Sequence, residues 1–537
     1  MTVVGALALG LALHVSSASA FVAPSAVSSN AASAARSGAL HMSTSTEQQQ
    51  FTLLKGGDDA PMEVVEPKGS YASWLSIGAL KQAGEWSSSP GTYFQARQEE
   101  ADGEPVYKMH PGIKSIAVTD HVSGEWFFNQ PDSVLDRQHG PMFGPLVCRE
   151  EYIGKTMPAL VTNLEELHPD IRGFTIAVLK ERLGSVQSAW SHSSDKFYSN
   201  LWEKGLGEYP TVYDTFLQQA YAFMLEWVLG TGEEGGQPLP LFKSFLNVNP
   251  SSVGVLLKLK TDGFVSNAAI KLLGANEKIT DEQLADVEIL LDSIRSSPMF
   301  GKFSQMLEDS KIPLEDLERS FMFNTGFQSS SAIAKQMEYA VGTLTAHSDF
   351  LADIRKELDG KDLTVANVDN AQTFPLLDSF FWEILRMFPA PPFFFKHAKK
   401  DLLMPAGNGK LYKIKEGETL CAHAPLIHID TAAFGPDARE FNPRRFLGQT
   451  ALKKKVFGYA FADMDNPDPG RDKPWGCAAH TAGMLNQALK LFYGRWIQEA
   501  EWTLKDAPVV DPVQYLGIVG PKNMTFTSVS PRKAPQN

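Results

Sequence analysis

Lys473-Pro474-Trp475-Gly476-Cys477-Ala478-Ala479-His480-Thr481-Ala482-Gly483-Met484-Leu485-Asn486 is the stretch around which the chain is organised. Pro474 and Gly476 constrain a loop that delivers Cys477 to a run of small residues, and Leu485 onward reads as helix. A cysteine at a helix N-terminus sits where backbone N–H groups and the helix dipole favour a thiolate. Ala478, Ala479, Ala482 and Gly483 would let a flat group lie close to the backbone. A thiolate ligand to haem iron needs both features. The stretch alone leaves a second reading open, a buried structural cysteine.

Upstream, Phe381-Trp382-Glu383-Ile384-Leu385-Arg386 places Glu383 and Arg386 three apart on one helix face. Such a pair is usually a surface ion pair of little worth. Here bulky apolar neighbours point to burial, and a buried pair needs a third partner for the guanidinium fork. Phe441-Asn442-Pro443-Arg444-Arg445-Phe446 offers one in Arg445.

The chain has 537 residues, 43% hydrophobic and 21% charged, the composition of an ordinary globular protein. Its net charge of −13 argues against a nucleic-acid partner. The basic run Lys453-Lys454-Lys455 reads as a solvated loop. Three cysteines, Cys148, Cys421 and Cys477, cannot make a disulfide framework and point to a reducing compartment. Gly230-Thr231-Gly232-Glu233-Glu234-Gly235 matches a dinucleotide-binding pattern by letter, but it follows a helix and carries two acids, so it reads as a loop.

Residues 1–20 read as a signal peptide: 3–13 is an apolar run too short to span a bilayer, and Ala18-Ser19-Ala20 supplies small residues for cleavage. Residues 21–50 read as a transit-like segment; up to residue 45 they are Ala/Ser-rich, carry Arg36 and hold no acid. Ala18-Ser19-Ala20-Phe21 resembles the signal/transit junction of proteins imported into complex algal plastids, which implies a plastid location; the secretory pathway is the alternative. Residues 51–537 read as one mainly α-helical domain with a small β part. Helical spacing runs through 174–180, 213–229, 281–296, 314–339, 351–358 and 374–388. Residues 106–109, 115–119 and 399–420 are strand-like. No later segment is long and apolar enough for a transmembrane anchor, which leaves room for peripheral membrane association.

The order Glu-x-x-Arg helix, Phe-x-Pro-x-Arg-Phe segment, then cysteine leading a small-residue helix resembles the cytochrome P-450 superfamily. The resemblance implies haem b, held between the helix carrying Asn324 and the helix following Cys477. It makes Cys477 the axial thiolate and Glu383, Arg386 and Arg445 a structural triad. Two departures narrow it. The loop before the cysteine, from Phe461 to Asp472, is longer than the usual one. The oxygen-activating acid–Thr pair is missing from Arg319-Ser320-Phe321-Met322-Phe323-Asn324-Thr325-Gly326-Phe327-Gln328-Ser329-Ser330.

Both departures are shared by the allene oxide synthase and hydroperoxide lyase family, which carries Phe-Asn where Phe323-Asn324 stands. Arg386-Met387-Phe388-Pro389-Ala390-Pro391-Pro392-Phe393, Lys415-Glu416-Gly417-Glu418-Thr419-Leu420 and Tyr93-Phe94-Gln95-Ala96-Arg97 extend the likeness. It implies a fatty-acid hydroperoxide substrate and no need for dioxygen or a reductase. Asn324 becomes the pocket amide, with Phe323, Phe327 and Phe143 as pocket aromatics. His168 and Arg172, in His168-Pro169-Asp170-Ile171-Arg172, resemble the family's propionate-binding His-x-x-x-Arg, and His397 and Lys473 are further candidates to bind the haem. His397 reads equally as a solvent-facing strand residue. The alternatives are a monooxygenase with a reductase partner and a haem-binding protein without catalysis.

Overall fold

The structure is a computed structural model that describes residues 62–71, 77–111, 113–131, 133–136, 179–207, 210–230, 280–297, 300–301, 318–319, 329–389, 392–457, 484–505 and 524–533. The two leader segments and nearly all of the expected helix 174–180 lie outside these residues. Residues from Met62 onward form one compact unit.

Its longer helices are α1 (Ile77–Ser88), α2 (Pro90–Glu100), α3 (His121–Asn129), α4 (Val186–Lys204), α5 (Val212–Leu229), α6 (Asp281–Ser296), α7 (Ser330–Ala346), α8 (Ser348–Leu358), α9 (Pro375–Met387) and α10 (Met484–Glu499). The ends of α5 and α6 expected from apolar spacing agree closely with the structure, which caps both helices there. Thr211 caps α5 by accepting from the Asp214 N–H, and Gly230 ends it in the left-handed region at φ 72°. Thr280 and Gln283 form a reciprocal capping box on α6. The α7 helix runs past the expected end at Tyr339 to Ala346, and its Thr343 and Thr345 hydroxyls bond back to carbonyls one turn earlier. None of the described helices is long and apolar enough to cross a membrane.

Among the described residues the β part comprises three sheets. Strands β2 (Val106–Met109), β3 (Ser115–Val118), β8 (Thr419–His423), β5 (Phe393–Ala398) and β4 (Leu135–Asp136) form a five-stranded sheet in that order. Only its β3–β8 pair is parallel. A three-stranded sheet orders β1 (Glu63–Val65), β7 (Lys410–Ile414) and β6 (Leu402–Pro405), and β9 (Ala500–Leu504) pairs with β10 (Phe526–Pro531). The strand-like 399–420 thus resolves into β6, β7 and the start of β8, with Gly409 and Gly417 turning the chain at positive φ.

Strand alternation divides the buried residues between two cores. Tyr107, Met109, Ala117 and Cys421 face the large core, which all the longer helices except α3 share. Val106, Ile116, Val118, Leu420 and Ala422 face a smaller one closed by Phe127 and Phe128 of α3. At the centre, α10 packs its Trp496 edge-on against Phe216 of α5 (4.9 Å) and its Tyr493 against Phe380 of α9 (5.7 Å). Gln336 of α7 donates to the Phe388 carbonyl at the end of α9 (2.7 Å), and Tyr339 stacks on Phe388 at 4.3 Å. The helix downstream of Asn324, the Glu-x-x-Arg helix and the helix downstream of Cys477 therefore share one packed centre.

A close approach that an added side chain would disturb is at Gly124 of α3. A Cβ there would meet Ile427 Cδ1 and Cγ2 at 2.9 Å, and Ile427 is fully buried. Ile is stiff at χ1 and cannot swing aside cheaply. Gly124→Ala should cost about 1–3 kcal/mol through overpacking, read from the urea denaturation midpoint; an unchanged midpoint would contradict this packing.

Candidate active site

Pro375 opens α9, where its missing N–H costs nothing, and residues Leu377–Met387 are buried all round. One turn before its end, Glu383 and Arg386 have no exposed side-chain surface. Arg386 uses every donor of its guanidinium. Its Nε and Nη2 donate to Glu383 Oε2 and Oε1, both at 2.7 Å. Nη1 donates to the carbonyls of His428 (2.8 Å) and Ala438 (2.7 Å), and Nη2 to that of Glu440 (3.1 Å).

Arg445 is held in the same manner. Its Nε lies 3.3 Å from Glu383, and its Nη atoms donate to the carbonyls of Phe434, Asp437 and Glu440 and to the Asp437 carboxylate. The Arg445 hydrogen bond holds the Asp437 carboxyl below its ordinary value. Glu383 also accepts from the Asn442 N–H at 2.7 Å. The structure thus brings Glu383, Arg386 and Arg445 together and adds Asp437, which the sequence reading missed.

It also adds two histidines. His428, fully buried, lies between the Arg386 carbonyl and the Phe457 N–H, each 2.8 Å from a ring nitrogen. The Phe457 amide can only donate, so Nε2 accepts and Nδ1 carries the proton to Arg386. His121 of α3 places Nε2 3.4 Å from the Lys455 carbonyl and donates its backbone N–H to Asp430. Burial pushes the His428 imidazole down to about 3 and lowers that of His121.

Lys453 corrects the solvated-loop reading. Its ammonium and that of Lys490 on α10 both pair with buried Asp378 of α9. Burial opposes the Asp378 charge, but the two lysines outweigh it and hold the carboxyl below its ordinary value. The sequence hides this contact because the partners are 75 positions apart.

His397 lies on β5, half-buried, with Nδ1 3.2 Å from Thr419 Oγ1 on the neighbouring strand. Cys477, Asn324, Arg172, His168, Lys473, Phe323, Phe327 and Phe143 lie outside the described residues, as does Cys148.

The cytochrome P450 family model matches residues 304–461, which include the whole Glu383–Arg386–Arg445 cluster. An epoxyalcohol synthase of Ectocarpus siliculosus is 54% identical over 88% of this chain and 99% of its own length. A mitochondrial hydroperoxide bicyclase of the same organism is 49% identical over 88% of this chain and 92% of its own. The chain belongs to the cytochrome P450 family. A mitochondrial hydroperoxide bicyclase of Plasmodiophora brassicae is 31% identical over 83% of this P450 and 80% of its own length. Two of these relatives are named as mitochondrial, which overturns the plastid reading. An Arg-bearing, Ser/Ala-rich, acid-poor leader is common to mitochondrial and plastid import, so composition could not separate the two.

P450 enzymes carry haem iron on a cysteine thiolate. Cys421 does not fit that role: it is fully buried on β8, and desolvation pushes its thiol well above the ordinary value, so it stays neutral.

Two outcomes follow from this geometry. Glu383→Gln removes the one side-chain carboxylate that pairs with Arg386 among the described residues, and should destabilise the fold by about 3–5 kcal/mol in chemical denaturation. Asp437→Asn, at a carboxylate 40% exposed, should cost under about 1 kcal/mol. Equal effects would show that burial of the cluster does not govern its energetics.

The second outcome concerns pH. Burial pushes both His428 and His423 down to about 3 from an ordinary 6.5. As pH falls below 6.5, the unfolded chain takes up protons that the folded chain refuses, so stability falls until the pH nears 3. Each histidine adds a slope of up to about 1.4 kcal/mol per pH unit. Urea midpoints between about pH 7 and pH 5 should fall, and His423→Phe should flatten the curve; a flat wild-type profile would refute the assignment.

Proposed function

We propose that this P450 is a haem-thiolate enzyme that isomerises polyunsaturated fatty-acid hydroperoxides, needing neither dioxygen nor a reductase. The observation that carries the reading is its identity to two relatives across most of their length, one named an epoxyalcohol synthase and the other a hydroperoxide bicyclase. The sequence adds support, because Asn324 stands where an acid–alcohol pair for proton delivery would be needed.

When bound, the haem supplies an iron whose thiolate ligand favours O–O cleavage. The residues of this chain do the rest in the proposed scheme. Cys477 provides the thiolate at the start of its helix. Arg172, His168, His397 and Lys473 orient the haem by pairing with its carboxylates. Asn324 turns its amide toward the peroxide, accepting and donating hydrogen bonds without releasing a proton. Phe323, Phe327 and Phe143 wall an apolar pocket that seats the acyl chain and excludes water.

The product reading follows the more similar relative. The O–O bond breaks; one oxygen ends bridging two carbons as an epoxide, and the other returns as a hydroxyl. The epoxy alcohol is an isomer of the hydroperoxide, so no outside electron is consumed.

Purified holoenzyme should consume a polyunsaturated fatty-acid hydroperoxide anaerobically, without a reductase, and mass spectrometry should show a product of unchanged mass. Cys477→Ser should abolish turnover, and Asn324→Ala should lower it by about tenfold or more, the scale of one lost hydrogen bond at a reacting group. Turnover that requires both dioxygen and a reductase would establish the monooxygenase alternative instead, and binding without turnover the non-catalytic one.

A further inference from the structure

We propose that residues 62–71 form a strap that opens on its own, without unfolding of the rest of the chain. While docked, the strap covers two strand edges against pairing with a second copy of this chain. Neither part depends on the haem or on the reaction.

The segment lies on two sheets in turn. Its β1 residues pair in parallel with β7, Glu63 opposite Lys410 and Val65 opposite Tyr412. Glu66 and Pro67 then cross to the five-stranded sheet. There Lys68 bridges in parallel to Tyr107 of β2, and its carbonyl accepts the Lys108 N–H at 2.8 Å. Gly69 turns the chain at φ 88°, and the Tyr71 hydroxyl donates to Glu418, between β7 and β8, at 3.3 Å. Among the described residues, β2 is an outer strand of its sheet, and β7 would be an outer strand of the other sheet without β1. An outer strand presents unpaired N–H and C=O groups with which another chain can pair.

The strap is laid on the sheets with little burial of its own. Pro67 is buried, Met62, Val65 and Tyr71 are half-buried, and the other strap residues are exposed. Lys68 reaches Asp102 at 3.0 Å, but with side chains 48% and 76% exposed the pair contributes little. A segment with few buried apolar contacts and exposed backbone hydrogen bonds opens at a free energy below the global one. The track beneath it is firmer. Glu104, just before β2, is buried and accepts from Lys410 Nζ and Asn408 Nδ2, both at 2.7 Å, and from the Tyr412 hydroxyl. It fixes β7 against the start of β2, so the two edges keep the spacing that Glu66 and Pro67 span when the strap lifts.

Hydrogen exchange of the full-length protein, resolved by residue, tests the opening. The Lys108 amide reports it, because its acceptor is the strap carbonyl of Lys68. In the wild type it should exchange faster than the buried amides of α10, which wait for global unfolding. Gly69→Val should speed it by about tenfold or more, the scale of forcing a branched side chain into the left-handed region. Its Cβ would also meet the Lys108 carbonyl oxygen at 3.1 Å. Gly205→Val, at the end of α4, imposes similar backbone strain at φ 72° with nothing within 4 Å of its Cβ, and should leave Lys108 exchange unchanged. If Gly69→Val does not fold, Gly69→Ala takes its place with the same expectation. Equal acceleration in the Gly69 and Gly205 variants would show that the strap opens only when the whole chain unfolds. That result, or no acceleration in the Gly69 variant, would overturn the proposal. Sedimentation velocity tests the cover: the Gly69 variant should form larger species as its concentration rises, where the wild type and Gly205→Val do not. Faster Lys108 exchange with unchanged sedimentation would overturn the covering role.

Discussion

The structure depends on a guanidinium that cannot be left wanting. Arg386 is charged, without exposed side-chain surface, and carries five donors in a rigid plane. One carboxylate on its own helix satisfies two of them, and the other three fix the carbonyls of His428, Ala438 and Glu440 in space. The irregular chain from 428 to 445 has little regular secondary structure to hold it. It wraps the end of α9 because each of those carbonyls sits where a donor points. The ion pair need not add net stability to do this, since desolvating two charges offsets much of their attraction. What it supplies is a single arrangement: any slip of the wrapped segment leaves a buried donor unpaired at a cost of about 1–3 kcal/mol.

Arg445 repeats the device one shell further out, and its partners overlap. Glu383 and the Glu440 carbonyl are shared with Arg386, and Asp437 balances the second positive charge. Two guanidiniums and two carboxylates therefore close into a neutral cluster. Asp378 with Lys453 and Lys490 forms a second buried centre on the same α9, joining that helix to α10. The helix that anchors the charge cluster is thus also tied to the helix that follows the cysteine.

This logic explains what could be read from the sequence. Glu383 and Arg386 were legible because spacing and apolar flanks are local properties, and Arg445 was legible from its own short pattern. The ends of α5 and α6 were legible from apolar spacing, and the structure shows caps holding both helices at those ends. The acceptors for Arg386 were not, because backbone carbonyls carry no sequence signature. Lys453 was misread for a related reason: a lysine beside two others looks solvated until the fold brings a buried aspartate to it. His428 and His423 could not be told apart in sequence, because their difference lies only in what each ring nitrogen meets. The five-stranded sheet was only partly legible, since β4 is two residues long and β8 joins β3 across three hundred positions.

The cysteines show how environment decides chemistry within one chain. Cys421 and Cys477 carry the same thiol. Cys421 sits inside a sheet, its backbone committed to the β3 and β5 ladders and its sulfur buried in the large core. Nothing there stabilises a negative sulfur, so desolvation keeps it protonated and inert. In the proposed ligand reading Cys477 heads a run of small residues, and a sulfur at the head of a helix meets the opposite conditions: unpaired N–H groups, the positive end of the dipole, and small neighbours that admit a planar partner. If the partner is a haem iron, the sulfur's charge is shared with the metal, and its position becomes as important as its protonation. Of the described residues that flank Cys477 in the sequence, α10 is tied to α9 through Lys490 and Asp378, and Phe457 is tied to the same helix by His428. Both attachments lead back to α9, and through it to Arg386.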